Sequence, residues 1–584
     1  MSSRGPLRPR VATCWIVGAI ALAGCAAEQD GPAAPGGANG IMMTYVSPRL
    51  QVVPADVPAE VELALEVRRA DASGVNQPYP GARLRVVREK GRGALASSLV
   101  TADASGVARV GVSMPATTDK TAVVVSLERD SDSFLPFDVV SAPVVPLELA
   151  AGEVRHLDPP REGALLRVAF DPGARYVLIP HQTDVERGGV PYRFFHQLPE
   201  QTGFGAAAFG ADAIAEPYRA ATAASPDPGT DIVVGEVDPG RLTPAAAVPD
   251  SVHVESCRIP TNRHAPLRYH GRSIAIYVDD ERGMHQARID SLGLAFDERI
   301  EPTNTRTFGR MTDLDGNGVV LAIFSPDLEG GLGGAYCESV RKARVEAFYA
   351  RWDPEQRIEG ALAIMAHEHQ HVINAGHHLA GGLDETLWLN EALSLGAEFV
   401  NESWYSVLPR AWRFLNGQNG GLTMLPLEYQ RAFDDAYTMF VIYLWDRFGP
   451  SVFLNLGTNG LIGRRNVEAV TGQPLEALLR DWFVALAVSG RSSVDDPRYA
   501  YSTLDLAGME EEISGCRCVP VARLAGMRLE PLHLGLGFDA FRTLAPADAD
   551  YYELIAPSEE ATSWDIYYDA YGRQAMRLSV ARLR

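Results

Sequence analysis

The apolar pattern changes its period twice along this 584-residue chain, and that change limits it to a multidomain fold. From Met42 to about Val145 apolar residues come in short runs: Val61 to Val67, Ala82 to Val87 after a Pro-Gly turn, and the β-branched run Val123 to Leu127. Such runs between turn residues read as strands. In Thr101 to Val112 a turn precedes a partial alternation of Val107, Arg109 and Val110. Helical spacing then covers Met284 to Phe296, Ala343 to Arg351, Ile358 to Ala375, Glu385 to Glu402, Tyr437 to Phe448 and Leu475 to Ala487, with strands expected at Ser273 to Val278 and Val319 to Phe324. Leu529 to Arg584 returns to strand spacing, as a separate cap or as the completion of a sheet begun near residue 165. Gly203 to Pro249, rich in Ala, Pro, Gly and Asp, reads as surface loop.

Composition removes several function classes. With 53 Lys and Arg against 74 Asp and Glu the formal net charge is −21, so the surface repels phosphate and no nucleic-acid partner is expected. A hydrophobic share of 46% supports packed cores and excludes disorder throughout. Arg4, Arg8 and Arg10 precede an apolar run, Val11 to Ala23, that ends in Leu22-Ala23-Gly24-Cys25. The run is shorter than the roughly 20 residues of a membrane span and reads as a cleaved signal. It resembles the bacterial lipoprotein signal, which implies cleavage before Cys25 and a lipid on that cysteine; a plain secretory signal is the alternative. Gly31 to Gly40 then reads as a flexible spacer. In an exported compartment Cys257, Cys337, Cys516 and Cys518 are free to pair, Cys257 with Cys337 first, although spacing does not determine connectivity.

The chemistry concentrates in His367-Glu368-His369-Gln370-His371. On a helix, residues four apart differ by about 40° in azimuth, so His367 and His371 can present two imidazoles to one metal ion. Glu368 adjoins the first of them, within reach of a metal-bound water without being a ligand. His369 projects about 200° away and is read as off the metal. Glu391, 20 residues after His371, opens a second apolar helix, and Gly376, Gly381 and Gly382 are expected to let the chain reverse between the two. Two neutral imidazoles and one carboxylate leave zinc an open position, the form of a catalytic site. Glu398, seven residues on and on the same face as Glu391, is placed to hold a ligand histidine; an ordinary solvated glutamate is the alternative.

This constellation resembles the thermolysin-like gluzincins. More narrowly, Ala366 to Ile373, Thr386 to Glu398 and the upstream Asp313-Leu-Asp-Gly-Asn-Gly are similar to the hyicolysin family of bacterial neutral zinc metallopeptidases. The resemblance covers about residues 270 to 490. It implies zinc held by His367, His371 and Glu391, with Glu368 as the base, a peptide or protein substrate, and a histidine or tyrosine donor for the developing oxyanion. Tyr437 is the first candidate for that donor, with Tyr429 and Tyr443 as rivals. The resemblance also implies pairing of substrate backbone with an edge strand, for which Val319 to Phe324 followed by Gly331 to Tyr336 is the local match. Two residues depart from the thermolysin pattern: Ala392 follows the ligand glutamate in place of glycine, and Leu395 stands where an aspartate is expected. No Gly-x-Met-Glu-Asn segment precedes the motif, which favours internal cleavage over removal of terminal residues.

Asp313, Asp315 and Asn317 alternate as in the first half of a calcium loop, but the twelfth position counted from Asp313 is Phe324, which excludes an EF-hand. Calcium and a tight Asx-rich turn both remain open there. Residues 42–150 resemble bacterial immunoglobulin-like spacer repeats. The expected organisation is a lipoprotein signal over 1–24, a tether over 25–41, an immunoglobulin-like β domain over 42–150, a β-rich segment with long loops over 157–264, an α+β thermolysin-like zinc peptidase over 265–490, and a β-rich region over 495–584. The expected function is a zinc endopeptidase on a monomeric body, anchored by lipid at Cys25 to a bacterial membrane; Ala26 after that cysteine points to the outer membrane. The alternative is a surface adhesin or scaffold with an inactive metallopeptidase-like domain.

Overall fold

The computed structural model describes residues 40–158, 163–184, 190–196, 248–255, 260–279, 284–326, 334–335, 345–351, 356–379, 383–415, 430–491, 493–506, 527–534, 538–544, 547–555, 562–571 and 576–584. The signal with Cys25, the tether as far as residue 39, residues 203–247 of the expected surface loop, Tyr429, Gly381, Gly382 and the four later cysteines fall outside these residues, while Ile41, at the end of the expected tether, already belongs to a strand. The chain is β-rich at both ends and helical in the middle.

The front unit is a sandwich of two sheets. One runs Ile41–Tyr45, Ala59–Ala70, Val107–Met114, Ala94–Leu95, and the other Leu50–Pro54, Asp130–Ala142, Asp119–Leu127, Arg83–Lys90, Leu99–Thr101. Alternation creates the core: Val61, Leu63, Leu65 and Val67 point inward from one strand and meet Ala108, Val110, Val112 and Met114 from its neighbour. The inward phase of Val107–Met114 therefore begins at Ala108, one residue later than the partial alternation at Val107 suggests. Asp103 sets that register by accepting the N–H groups of Ser105 at 2.8 Å and Val107 at 3.1 Å.

A second sandwich joins distant parts of the chain. Ala164–Phe170 pairs antiparallel with Thr562–Asp569, Tyr176–Gln182 pairs with both Met576–Arg582 and Tyr552–Ile555, and Val190–His196 pairs with Phe538–Leu544. Of the two expectations for the late strands, completion of the sheet begun near residue 165 is the one observed: strands from the regions 157–264 and 495–584, delimited separately by sequence, share one core built from Leu166, Val168, Tyr192, Phe194, Ile566 and Leu578 among others. Leu50, Val140 and Ala142 of the front unit pack on Leu165 and Tyr567 of this one.

The middle unit carries a sheet in the order Ser251–Glu255, Pro260–His270, Ile274–Val278, Val320–Ser325, Ala347–Arg351, Gly334–Ala335. Two expectations are corrected here. The boundary at 264/265 cuts through Pro260–His270, which pairs on both sides within this sheet. Residues 347–351 form a strand, not the end of a helix over Ala343 to Arg351, and lie parallel to Val320–Ser325. Both faces of that strand are covered, so its apolar run is continuous and its period is invisible.

The helices are α1 Gln286–Ala295, continued through a π-turn at Phe296–Ile300 into α2 Glu301–Phe308, then α3 Ile358–Leu379, α4 Leu387–Val400, α5 Trp404–Leu415, α6 Gln430–Phe448, α7 Ser451–Thr458, α8 Gly463–Thr471 and α9 Leu475–Val488. Met365, Ala366 and Val372 of α3 pack on Ile276, Ala322 and Phe348 of the sheet. The later helices bury a separate core around Trp482, which stacks on Phe414 at 5.8 Å, and Val177, Ile179, Ala581 and Leu583 of the second sandwich close that core. Gly376 lies inside α3 and not in the connection after it: a Cβ there would come within 2.0 Å of the Thr312 hydroxyl, so the glycine permits close approach of the residue 309–318 loop.

Candidate metal centre

Helix α3 has no interior proline and runs for 22 residues, long enough to carry His367, Glu368 and His371 well inside its ends. Helix α4 packs beside it and buries Leu389, Ala392, Leu393 and Leu395 in the helical core, which turns Glu391 toward α3. The His367 Nε2 lies 3.5 Å from one Glu391 oxygen and the His371 Nε2 lies 3.7 Å from the other. All three donor atoms fall within 4.8 Å of one another. Tetrahedral zinc with bonds of about 2.0–2.1 Å sets its ligand atoms about 3.3 Å apart, so this spacing suits one such ion with little adjustment.

Both rings are held with their outer nitrogens engaged. His367 Nδ1 sits 2.9 Å from Glu398 Oε1, and the other Glu398 oxygen accepts from Arg410 at 2.6 Å. Ser394 gives its hydroxyl proton to Gln370 Oε1 at 2.6 Å, so its oxygen is an acceptor for His371 Nδ1 at 3.0 Å. Asn390 Oδ1, which receives an N–H of Asn374 at 2.7 Å, also faces His371 Nδ1 at 3.1 Å. With Nδ1 as donor in both rings, each Nε2 keeps its lone pair for a metal.

Electrostatics point the same way. Burial drives His371 down to about 4, so its ring is neutral. Burial opposes protonation of His367 too, but Glu391 and Glu398 outweigh it and hold that ring well above the usual histidine range. Burial alone would raise Glu391; the His371 and His367 rings bring it down to about 2. The pocket thus calls for a positive charge between Glu391 and the rings, which a divalent cation supplies. Glu368 is only 4% exposed, and burial, against the pull of His367 and with the push of Glu391 and Glu398, raises it to about 8. Its Oε2 is buried with no hydrogen-bond partner among the described residues.

His369 is off this cluster, as its azimuth requires, and is buried: it meets the Phe296 ring at 4.9 Å and Asn304 at 3.4 Å. Tyr437 lies two turns into α6 and is 2% exposed. Burial, then the charges of Glu391 and Asp434, push its hydroxyl above the ordinary tyrosine range, which places it in the field of the cluster. Tyr443 is committed elsewhere, donating to the Arg498 carbonyl at 2.9 Å and accepting from Arg447. Val320–Ser325 is a central strand and offers no edge for a substrate; among the described residues the sheet ends at Ser251–Glu255 on one side and at Gly334–Ala335 on the other, the latter within the second half of the expected match.

Sequence reasoning missed Asn390, Ser394 and Arg410. The first two had a signal, as polar residues within an otherwise apolar helix; Arg410, on α5, had none. Leu395 itself is buried in the helical core and faces neither ring; the acceptors on His371 Nδ1 are Ser394 and Asn390. Replacing both with alanine is expected to weaken zinc binding by about 10–100-fold, measured by competition against a chromogenic chelator, and an unchanged affinity would refute that role.

No family model matches the chain. Over 159 residues it is 26% identical to the neutral metalloprotease ShpI of Staphylococcus hyicus, a stretch covering 23% of this chain and 36% of that protein. The chain therefore spans about a third of that relative's length. Among solved structures, it resembles the D00-D0 domain of intimin (17% identity, 17% of this chain and 45% of that one, TM-score 0.14). It also resembles the adhesin InvE of Yersinia pseudotuberculosis (17% identity, 28% and 42%, TM-score 0.15). The chain is thus a distant relative of a metalloprotease over roughly a quarter of its length.

Proposed function

We propose that the chain is a zinc endopeptidase of the hyicolysin type, with a thermolysin-like middle unit, exported and tethered by lipid at Cys25 of its lipoprotein-like signal. The observation that carries this reading is the convergence of His367, His371 and Glu391 with Glu368 beside them. Zinc in that place would acidify a water and polarise the scissile carbonyl. Glu368 takes the proton from the attacking water and returns it to the leaving amine. Its buried, unsatisfied oxygen is suited to both tasks, because a carboxyl kept from water holds a proton readily. Substrate backbone pairs with the sheet edge at Gly334–Ala335, adding a strand. A cavity of about 310 Å³ beside Glu398, lined by Gly360, Ala363, Ile364, Tyr405 and Arg410, receives a substrate side chain.

The test is cleavage of casein and of a proteome-derived peptide mixture by the full chain, lost with 1,10-phenanthroline and restored by one equivalent of zinc. Hydrolysis that survives complete removal of metal would end the reading. Tyr437 is assigned to the oxyanion: Tyr437→Phe should lower kcat by about 10²–10³-fold with KM little changed, and equal loss in Tyr443→Phe would move the role away from Tyr437.

The front sandwich, which brings no residue to the His367 cluster, favours a second reading as a surface adhesin or scaffold with an inactive metallopeptidase-like domain. One bound zinc per chain with no hydrolysis of any peptide in the mixture would favour it.

A further inference from the structure

Glu346 is 2% exposed, just before the central strand Ala347–Arg351. Its Oε1 accepts the N–H of Leu314 at 2.8 Å. Its Oε2 is buried and has no hydrogen-bond partner among the described residues. One carboxylate oxygen each from Asp313, Asp315 and Glu346 lie within 4.8 Å of one another among the described residues. Three carboxylates converging on a partly buried point, one with an unsatisfied oxygen, are costly unless a cation joins them. Burial, opposed by the Leu314 N–H and reinforced by Asp315, pushes Glu346 up to about 7, and burial together with Asp313 raises Asp315.

The loop is already shaped for this convergence. Asn317 donates to both Asp315 oxygens, at 3.1 and 2.8 Å, and the Gly318 N–H donates to Asp313 Oδ1 at 3.1 Å. Gly316 and Gly318 both take φ of +76°, a conformation open to glycine. The sequence count found Phe324 where an EF-hand has its closing glutamate; the closing carboxylate comes instead from Glu346, brought in by the strand pairing of Leu321 with Ala347.

We propose that Asp313, Asp315 and Glu346 form a binding site for one calcium ion, separate from the histidine cluster. The donors are all hard oxygens, which disfavours zinc. Exposed Asp313 leaves room for waters to complete a coordination number of six to eight, whereas magnesium asks for a tighter octahedron. The ion would fasten the residue 309–318 loop to the entry of a central strand, and that loop presses Thr312 against Gly376 on the helix that carries His367 and His371.

The experiment uses the full chain stripped of metal with EGTA, dialysed free of chelator, reloaded with one equivalent of zinc and then titrated with calcium chloride by calorimetry. The expected result is one equivalent of calcium that is lost, or weakened at least tenfold, in Glu346→Gln and in Asp315→Asn, with zinc content unchanged. Calcium should raise the thermal midpoint of the wild type by about 2 °C or more and leave that of Glu346→Gln unmoved. Without calcium, Glu346→Gln should be at least as stable as the wild type, since one repelling charge is gone. No calcium uptake by the wild type at millimolar concentration, or a full equivalent retained by both variants, overturns the proposal. If Glu346→Gln does not fold, Asp313→Asn, altered at the exposed side of the cluster, decides by the same titration.

Discussion

Glu368→Gln is expected to lower kcat/KM for peptide cleavage by about 10²–10⁴-fold while a full equivalent of zinc stays bound. The substitution keeps the size of the side chain and touches no ligand: the three donors are His367, His371 and Glu391, and Glu368 contributes none of the short distances among them. What it removes is the ability to take and return a proton at a site where water is scarce. Glutamine can still donate a hydrogen bond and can orient a water, so the residual rate reports positioning without proton transfer. Rates on a quenched peptide, read together with zinc content by mass spectrometry, check the expectation. Wild-type activity in this variant would remove Glu368 from the mechanism, and loss of zinc would show that it serves the ligand set.

Glu398→Ala is expected to have the largest effect on the protein itself. Glu398 is buried between His367 Nδ1 and Arg410, so its removal frees the ring to turn and leaves a largely buried guanidinium without its partner. Zinc affinity should fall by about 10–100-fold, and stability should fall by on the order of 3 kcal/mol. The two consequences separate by a second change. In Glu398→Ala combined with Arg410→Met the unpaired cation is gone, so the thermal midpoint should recover in part, while zinc affinity should stay low because His367 still lacks its acceptor. Glu398→Gln, which keeps an oxygen for His367, should retain more zinc affinity than Glu398→Ala. Wild-type midpoint and affinity in Glu398→Ala would show that the chain of contacts from Arg410 to His367 does no structural work.

Several elements were legible because their determinants are local. The helices at 358–379 and 387–400 follow from apolar spacing, and two histidines four residues apart share a face wherever a helix forms. Other readings failed for identifiable reasons. Ala343 to Arg351 reads as helix although residues 347–351 form a strand, because a strand covered on both faces shows no alternation. Val319 to Phe324 suits a substrate edge by resemblance alone, because sequence does not reveal which strands flank it; pairing with Ile274–Val278 and Ala347–Arg351 puts this strand in the interior of the sheet.

By itself the sequence determined the sandwich-like pattern at the front, the helical middle, and the alignment of His367, Glu368 and His371, since each depends on residues a few positions apart. Only the tertiary structure decided that strands from 164–196 and 530–582 share one sandwich. It alone put Ser394 and Asn390 on His371, Arg410 on Glu398 and Glu346 beside Asp313 and Asp315. Those meetings join residues far apart along the chain or on separate elements, and their geometry comes from how helices and sheets bury their apolar faces, a property of the packed whole that no local spacing encodes.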